Sequence, residues 1–479
     1  MTATYYLRME GVNLLNFVFD TQDLSTARGG SLLMLDAVGH VQKRVPRLEP
    51  VTTGASSGLF RFEMDDGDAD DSKARQICNS VMDCLKKDPR FKHATFVVDF
   101  LRAEDDFITV RETLLAKNRF QQMRSPTVAV PKTSRVKNVV PCELDGVRPA
   151  VKAGPKGKKI SESVWQRWKY GREEKQEFYR KELVKLKKVD QKKASELVPL
   201  NFANDFDELT SDRSRGNLHH KMAVIYLDGN GFGGLQSDVC NTRKLQEDFD
   251  TTIKNYRRGF LKTLLSEMKD RKEWISAKDN YRLETLLWGG DEIIWIVPAW
   301  LGWRVLKRFY EESESWEFHG NRLTHGGGIV FCHHNAPIHR ITKLAKDLAE
   351  LAKEKSREEN LFAYEVLESF DHIGRDLMGY RREICPNGCS PDDMILEGGK
   401  MGSALDKVAV LRENFPRRKL YAIVKGLTRG DPGTIKVIEK TIKSLDLETK
   451  KALEDLKDPF GGEVLRWLHL ALLWDYLVE

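Results

Sequence analysis

The sequence predicts an α+β protein in which strands and helices alternate in two separate regions before a helical C-terminal end. Residues 1–118 and 216–375 both mix short strand-like runs with stretches of helical spacing. Between them, residues 119–215 shift to Pro, Lys and Gly followed by charged helix, which is typical of an insert. Helical patterns dominate residues 376–479. We therefore expect four segments with these boundaries.

The first segment opens with an apolar strand and continues with alternating elements. Runs of β-branched and aromatic residues favour strands at Tyr5–Met9, Leu59–Met64 and His93–Leu101. A further element of this alternation is Leu32–Val41, after Gly29-Gly30, and helical spacing favours a helix at Ala74–Lys87. This order predicts an antiparallel sheet with its helices on one face.

The insert carries a basic region, residues 152–193, in which Lys and Arg alternate with aromatic residues such as Trp165 and Trp168. Cations with interleaved aromatic rings can hold a nucleic-acid backbone and stack its bases. The same pattern is typical of a solvated helix whose Glu residues pair with its Lys residues. The residues leave both interpretations open, so RNA stands as a possible partner of this region.

Composition sets the broad class of the protein. With 479 residues, 41% of them hydrophobic, the chain can bury several cores, and its net charge of +6 is small for this size. Its seven cysteines have no regular spacing, which favours reduced thiols. No apolar run approaches the ~20 residues that span a bilayer, and the N-terminus lacks a signal-peptide layout. We expect a cytoplasmic protein without a membrane partner.

The first motif with chemical content follows an apolar strand. Lys221–Leu227 leads into Asp228, Gly229, Asn230 and Gly231. A carboxylate therefore lies at a strand end, beside glycines whose backbone N–H groups can approach a phosphate closely. An acid followed by glycines also makes an ordinary turn, so this motif is weak by itself.

The second motif is an acidic hairpin. Gly289, Gly290, Asp291 and Glu292 join two apolar runs, Leu286–Trp288 and Ile293–Val297. Acids flanked by buried strands are costly unless a cation neutralises them. Asp228 and Asp291 at one end of a common sheet would suit two divalent ions ~3.5–4 Å apart, as in nucleotidyl transfer. Gly-Gly-Asp is also simply a good turn.

The third motif is an amphipathic helix over residues 341–357. Its apolar residues share one face, so that Lys346, Lys353 and Arg357 share another. Such a group of cations could hold a triphosphate tail, although a charged stripe is also typical of a solvated helix face.

Taken in order, these motifs resemble the palm domain of the CRISPR polymerase family, the large cyclase subunit of type III CRISPR effector complexes. The segments read AVIYLDGNGFGG at 223–234, LLWGGDEIIWIV at 286–297 and GGGIVFCHHNAPIHRITKLAKDLAELAKEKSR at 326–357. They are also similar to the GGDEF domain of diguanylate cyclases. The strand-to-helix segment at 326–357 makes the CRISPR family the closer of the two.

The resemblance extends beyond the acidic motifs. Residues 5–39 look like that family's first, degenerate palm, and residues 141–150 look like its zinc-binding insert. It implies two ferredoxin-like palm domains, a degenerate one at 1–118 and a catalytic one at 216–375, with a helical insert and a helical C-terminal domain.

The same resemblance implies roles for single residues. Asp228, Asp291 and Glu292 would bind two Mg²⁺ or Mn²⁺ ions and carry catalysis. The expected nucleotide contacts are Gly229, Asn230, Gly231, Phe232, Gly289, Gly290, Lys353 and Arg357. The 3′-hydroxyl of one nucleoside triphosphate, with ATP expected, would attack the α-phosphate of another. The product would be a cyclic or linear oligonucleotide messenger in antiviral defence, read by a downstream effector.

Several departures from the family limit what it implies. Glu292 stands where the family has a second aspartate, as in diguanylate cyclases, which leaves the choice of base open. Cys142 lacks Cys-x-x-Cys partners, so zinc is not expected at 141–150. Nothing resembles the family's HD nuclease domain, because His219-His220 and His333-His334 lack its aspartate pattern, and we expect no DNase activity. His333 and His334, next to the palm motifs, could bind a metal or protonate a leaving group, but we favour packing or a hydrogen bond to solvent for both.

Two other functions remain as alternatives. One is an RNA-binding scaffold subunit of a CRISPR-like ribonucleoprotein, with protein subunits as partners. The other is a diguanylate cyclase that uses GTP, which Glu292 favours and the double-palm layout disfavours.

Overall fold

The computed structural model describes residues 2–65, 71–124, 140–269, 271–368 and 376–477. Its strands are β1 Thr2–Val12, β2 Glu49–Thr53, β3 Ser57–Asp65, β4 Thr95–Arg102, β5 Lys152–Ala153, β6 Lys159–Ile160, β7 Lys221–Gly229, β8 Glu284–Trp288, β9 Ile293–Pro298, β10 Glu317–Phe318, β11 Asn321–Arg322, β12 His325–His333, β13 Leu361–Val366 and β14 Leu396–Glu397. Its helices are α1 Leu14–Val18, α2 Leu24–Arg44, α3 Asp71–Lys87, α4 Phe107–Arg124, α5 Glu162–Val184, α6 Gln191–Leu197, α7 Phe206–Thr210, α8 Phe232–Val239, α9 Arg243–Met268, α10 Ala299–Ser313, α11 Ile338–Lys355, α12 Leu377–Ile384, α13 Met401–Asn414, α14 Arg417–Arg429, α15 Gly433–Lys443, α16 Leu447–Asp455 and α17 Leu465–Leu473.

The chain forms two compact units, each built from separate stretches of sequence. Unit 1 comprises residues 1–204, 231–269 and 285–292. Unit 2 comprises residues 205–230, 270–284 and 293–479. The four-segment division of the sequence stays a prediction. No helix among the described residues is long and apolar enough to cross a membrane.

Unit 1 contains an antiparallel sheet in the order β2-β3-β1-β4. Helix α2 lies between β1 and β2, and α3 lies between β3 and β4; the sequence pattern did not predict β2. The prediction of helices on one face was wrong. A Cβ at Gly58 would lie 2.8 Å from Val38 of α2, whereas Val110 and Leu114 of α4 pack with Leu59, the next strand residue. Because neighbouring strand residues point to opposite faces, α2 and α4 cover different faces.

The basic region contains α5, which packs directly on α2. A Cβ at Gly29 would lie 1.8 Å from the carbonyl oxygen of Arg167, and one at Gly171 would lie 2.0 Å from that of Ser25. Only glycine permits such close approach of two helix backbones. Arg167 itself is buried and donates two hydrogen bonds, of 2.7 and 2.9 Å, to the carboxylate of Asp20. Part of the basic region therefore belongs to the core of unit 1.

Unit 2 contains five consecutive strands of a mixed sheet in the order β14-β13-β12-β7-β9. β7 runs antiparallel to β9 and β12, whereas β12 and β13 are parallel and are joined by the crossover helix α11. β7 is the strand predicted at 221–227, extended by two residues, and its apolar residues are buried. The apolar run suits a strand that is covered on both faces.

Two helices cover the two faces of this sheet. A Cβ at Gly328 would lie 1.9 Å from the carbonyl oxygen of Ala345 in α11. A Cβ at Gly327, the neighbouring residue of β12, would instead lie 2.3 Å from the hydroxyl of Tyr310 in α10. The alternation of strand side chains places α11 and α10 on opposite faces. The contact at Gly328 sets the height of α11 above β12.

The helices α12 to α17 form the C-terminal part of unit 2 and enclose a buried polar cluster. The guanidinium of Arg381 donates a hydrogen bond of 2.6 Å to the carbonyl oxygen of Tyr364 and lies 3.8 Å from the carboxylate of Glu365. The Tyr364 hydroxyl lies 2.6 Å from Nδ1 of His469 on α17. Burial raises the pKa of Glu365 to about 7 and lowers the pKa of His469 to about 3.

Candidate active site

Asp228 lies at the end of β7 and forms an ion pair with Lys353. The Lys353 ammonium donates a hydrogen bond to Oδ2 of Asp228. Their side chains are only 9% and 13% exposed, respectively, so the pair is largely removed from solvent. Lys353 lies on α11, the crossover helix that connects β12 to β13 and packs across the sheet. Two residues predicted from separate motifs therefore meet in unit 2.

Asn230 fixes the loop that follows Asp228. Its backbone N–H donates to the carbonyl of Thr324 at 2.9 Å, and its side-chain amide donates to the Thr324 hydroxyl and to the Glu359 carbonyl, both at 3.1 Å. The Thr324 hydroxyl donates in turn to the carbonyl of Arg357 at 2.8 Å. Oδ1 of Asn230 is buried and accepts no hydrogen bond. An open oxygen acceptor thus lies two residues from Asp228, while the Arg357 side chain is exposed.

Gly231 and Phe232 begin helix α8 in unit 1. Gly231 adopts a φ of 65° and precedes the first helical residue, a left-handed conformation that glycine adopts without strain. Phe232 is buried and packs edge-on against Phe249 of α9 at 5.9 Å between ring centroids. Its predicted contact with a nucleotide stays a prediction.

The acidic turn lies in unit 1, whereas Asp228 lies in unit 2. The backbone N–H of Gly289 donates to the carbonyl of Glu292 at 2.7 Å, which closes the turn. A Cβ at Gly289 would lie 2.9 Å from that carbonyl oxygen, so the tight turn requires glycine there. Asp291 and Glu292 are both half-buried, and Gly290 is exposed.

A carboxylate of the basic region supports this turn. The Trp288 indole donates a hydrogen bond of 3.0 Å to Oε2 of Glu182, which lies near the end of α5. Arg258 donates to the same oxygen at 3.0 Å, and Lys185 donates to Oε1. Burial opposes ionisation of Glu182, but the charges of Lys185 and Arg258 and these hydrogen bonds lower its pKa to about 2. Sequence reasoning missed Glu182, because no pattern separates it from the other glutamates of α5.

Arg257 is the second residue that sequence reasoning missed. It is 5% exposed, and its guanidinium lies 5.0 Å from the centre of the Trp288 ring. Its Nε and Nη1 are buried without hydrogen-bond partners. Burial lowers its pKa to about 10, against the opposing attraction of Glu182 and, more weakly, of Asp291. A buried cation with unused donors is a binding element for an anion.

These residues line a cavity of about 1100 Å³ within unit 1. Its walls come from α2, β2, the end of α5, α9 and the start of the acidic turn. Nine cationic and five acidic residues line it, so it favours anions. The cationic ones are Lys43, Arg44, Arg90, Lys181, Lys185, Lys244, Lys254, Arg257 and Arg258. The volume suits a ligand as large as a nucleoside triphosphate.

The residue types predicted for metal binding fit a divalent ion. Asp228, Asp291 and Glu292 offer carboxylate oxygens, and the unbonded Oδ1 of Asn230 offers an amide oxygen. Mg²⁺ and Mn²⁺ prefer such hard oxygen ligands. The assignment of these residues as ligands stays a prediction.

A comparison with protein families bears directly on this region. Residues 221–362 match the family described as Cas10/Cmr2, second palm domain. The chain carries a Cas10-like palm. The resemblance to the CRISPR polymerase family is therefore confirmed, over a match that includes Asp228, Asp291, Glu292, Lys353 and Arg357. A comparison with curated proteins finds no match.

Solved structures extend the similarity of fold beyond the palm. The Csm1–Csm4 cassette in complex with one ATP is 13% identical, with a TM-score of 0.57, over 100% of this chain and 70% of that one. The cassette in complex with cA3 is 12% identical, with a TM-score of 0.54 and the same coverage. Csm1 from T. onnurineus is 11% identical, with a TM-score of 0.52, again over 100% and 70%. The mixed α/β fold with a Cas10-like palm is thus shared along the described chain.

Proposed function

We propose that the protein is a nucleotidyltransferase that joins nucleoside triphosphates, with ATP preferred, into a cyclic or linear oligonucleotide messenger. The observation that carries the proposal is the complete acidic set, Asp228, Asp291 and Glu292, within the stretch that matches the Cas10/Cmr2 palm. Similar solved structures are the Csm1–Csm4 cassette in complex with one ATP and in complex with cA3. These nucleotides support ATP as the substrate and a cyclic oligoadenylate as the product.

Each acidic residue has a role in this proposal. Asp228, Asp291 and Glu292 would hold two divalent ions, which when bound would stabilise the charge on the attacking and leaving oxygens. Lys353 donates a hydrogen bond to the Asp228 carboxylate and holds it in place in the structure. When a triphosphate binds, the Lys353 ammonium is free to donate to a phosphate oxygen instead. Arg357, two residues past the end of α11, is exposed and available for the same phosphates.

The cavity of unit 1 supplies a second part of the proposal. Its cationic lining and the unused donors of Arg257 suit the phosphates of a nucleotide. Trp288 and Gly289 belong both to this cavity and to the segment that carries Asp291. We assign the cavity to a triphosphate or to the growing product. The order β2-β3-β1-β4, with helices between β1 and β2 and between β3 and β4, supports residues 1–118 as a ferredoxin-like, degenerate palm.

The decisive experiment supplies the purified chain with each labelled triphosphate and Mg²⁺ or Mn²⁺, and resolves the products by mass. We expect an oligonucleotide and released pyrophosphate from one triphosphate, ATP. Asp228→Asn and the double variant Asp291→Ala/Glu292→Ala should form none. Asp238→Asn is the matched control, because Asp238 is an exposed acid on the nearby helix α8. Equal product from the wild type and the acidic-site variants would contradict the proposal, and product from GTP alone would favour a diguanylate cyclase.

A second candidate role concerns partners rather than catalysis. The half-exposed rings of Trp165 and Trp168 lie under cations, with Lys169 at 5.4 Å from the first ring and Arg172 at 4.9 Å from the second. We propose this surface of α5 for RNA, and a CRISPR-like protein subunit as a further partner, since Csm1 is solved together with Csm4. RNA affinity that falls steeply with salt and with Trp168→Ala/Arg172→Ala would support the RNA surface. If the variant binds RNA as tightly as the wild type, this surface of α5 does not bind RNA and is simply exposed to solvent.

A further inference from the structure

A cluster of imidazoles and one carboxylate lies at the end of β7 away from Asp228. His220 directly precedes β7 and His334 directly follows β12. The register that pairs Lys221 with His333 places these two histidines opposite each other, and their backbones are joined by a hydrogen bond of 2.9 Å from His334 to His220. Their rings stack at 4.8 Å between centroids. The pairing of β7 with β12 therefore brings together two histidines whose proximity the sequence motifs do not predict.

Asp207 of α7 completes the cluster. Asp207, His220 and His334 each offer one ligand atom, and these three atoms lie within 4.8 Å of one another. Nδ1 of His220 is buried and makes no hydrogen bond, although it lies 3.3 Å from Oδ1 of Asp207. Adjacent ligands on a tetrahedral zinc ion with bonds of ~2.0–2.1 Å stand about 3.4 Å apart. The His220–Asp207 pair therefore already has the spacing of two zinc ligands.

The backbone holds His220 in this position at a cost. Its φ of 65° lies in the left-handed region, which residues with a Cβ rarely adopt. Its N–H donates to the carbonyl of Thr210 at 3.1 Å, which ties it to the end of α7. Nδ1 of His219 and Nδ1 of His333 accept backbone hydrogen bonds at 3.0 and 3.2 Å, from Asp212 and Asn335. Those two nitrogens are therefore occupied, whereas Nδ1 of His220 is not.

We infer that Asp207, His220 and His334 form a binding site for one divalent transition-metal ion, best suited to Zn²⁺. Two imidazoles and one carboxylate are a recurrent zinc set, and softer nitrogen ligands disfavour Mg²⁺. The ion would join α7 to the ends of β7 and β12. Seven residues of β7 lie between His220 and Asp228, and the eight steps along the strand span about 26 Å, so the role of the ion would be structural.

The test titrates Zn²⁺ into the full-length, untagged chain after treatment with EDTA, and follows binding by calorimetry and by metal analysis after dialysis. We expect one Zn²⁺ per chain and a higher unfolding temperature with the ion than without it. His334→Gln and Asp207→Asn should each weaken binding at least tenfold and abolish the thermal shift. His339→Gln is the matched control, because His339 is exposed on α11.

Substituting Co²⁺ gives a second readout, since its visible spectrum reports its ligands. The wild type and His339→Gln should share one spectrum, and Asp207→Asn should change it. Absence of stoichiometric Zn²⁺ binding, or equal binding in all four proteins, would overturn the site. Unfolding temperatures in EDTA show whether each variant is folded, and Asp207→Asn alters a mostly exposed side chain. None of these readouts depends on nucleotide chemistry.

Discussion

The indole nitrogen of Trp288 donates a hydrogen bond of 3.0 Å to Oε2 of Glu182, which joins helix α5 to the strand that ends at the acidic turn. The Glu182 side chain is 3% exposed; its Oε2 also accepts from Arg258, and its Oε1 accepts from Lys185. Gly289 follows Trp288 directly, so a displacement of the indole would move the turn that carries Asp291 and Glu292. Glu182 is therefore a positioning residue for the proposed reaction.

Glu182→Gln should destabilise unit 1 and slow product formation. The change leaves Arg258 and Lys185 without their buried carboxylate, and breaking a buried ion pair costs about 3–5 kcal/mol. Urea unfolding measures the stability, and the rate at saturating ATP measures the effect on the turn. Glu177→Gln is the control, since Glu177 pairs with Arg180 on the same helix but is 46% exposed. If Glu177→Gln lowered the stability and the rate as much as Glu182→Gln does, Glu182 would not be a positioning residue for the turn.

Lys353→Met should lower kcat/KM for ATP by about ten- to a hundredfold, because a hydrogen bond to a charged group contributes about 1.5–3 kcal/mol. The ammonium pairs with Asp228 in the structure and would donate to phosphate in the complex. Lys343→Met should leave kcat/KM unchanged, because Lys343 is 74% exposed on the same helix and pairs only with Asp347 among the described residues. Steady-state kinetics of both variants make the comparison, and a similar loss in both would contradict the assignment.

Gly328→Ala should destabilise unit 2 and reduce activity through α11. The new Cβ would lie 1.9 Å from the carbonyl oxygen of Ala345, so the helix must move away from β12. Overpacking of this kind costs about 1–3 kcal/mol. Thermal unfolding and the KM for ATP should both change, since Lys353 lies on the displaced helix. Gly399→Ala, at an exposed position whose Cβ would meet nothing within 4 Å, should change neither.

His469 should make stability fall as the solution becomes more acidic. Burial lowers its pKa to about 3 in the folded protein, from an ordinary value of about 6.5 when unfolded. Between these two values the unfolded chain binds more protons, so the free energy of unfolding rises as pH increases from about 3 to 6.5. The substitution His469→Gln should flatten this part of the profile. Urea unfolding of both proteins at several pH values measures the difference, and parallel profiles would exclude His469 as the cause.

The local pattern of residues predicted the elements and the acidic motifs. Apolar runs predicted β7, β8 and β9, and helical spacing predicted α11, because one buried face suffices to define a strand or a helix. The order of the motifs also indicated the palm, which the match over residues 221–362 confirmed. Asp228, Asp291 and Glu292 stood out because acids beside buried strands are costly without a cation.

Only the tertiary structure decided which distant side chains meet. The register of β7 and β12 brings His220 to His334, and α5 brings Glu182 to Trp288 across 106 positions of the chain. Lys353 meets Asp228 through the packing of α11 on Gly328. Packing of Val110 and Leu114 with Tyr6 and Leu59 placed α4 on a face of the sheet for which the sequence pattern predicted no helix. Local patterns depend on neighbouring residues, whereas these contacts depend on strand register and helix packing, which are set by the whole core.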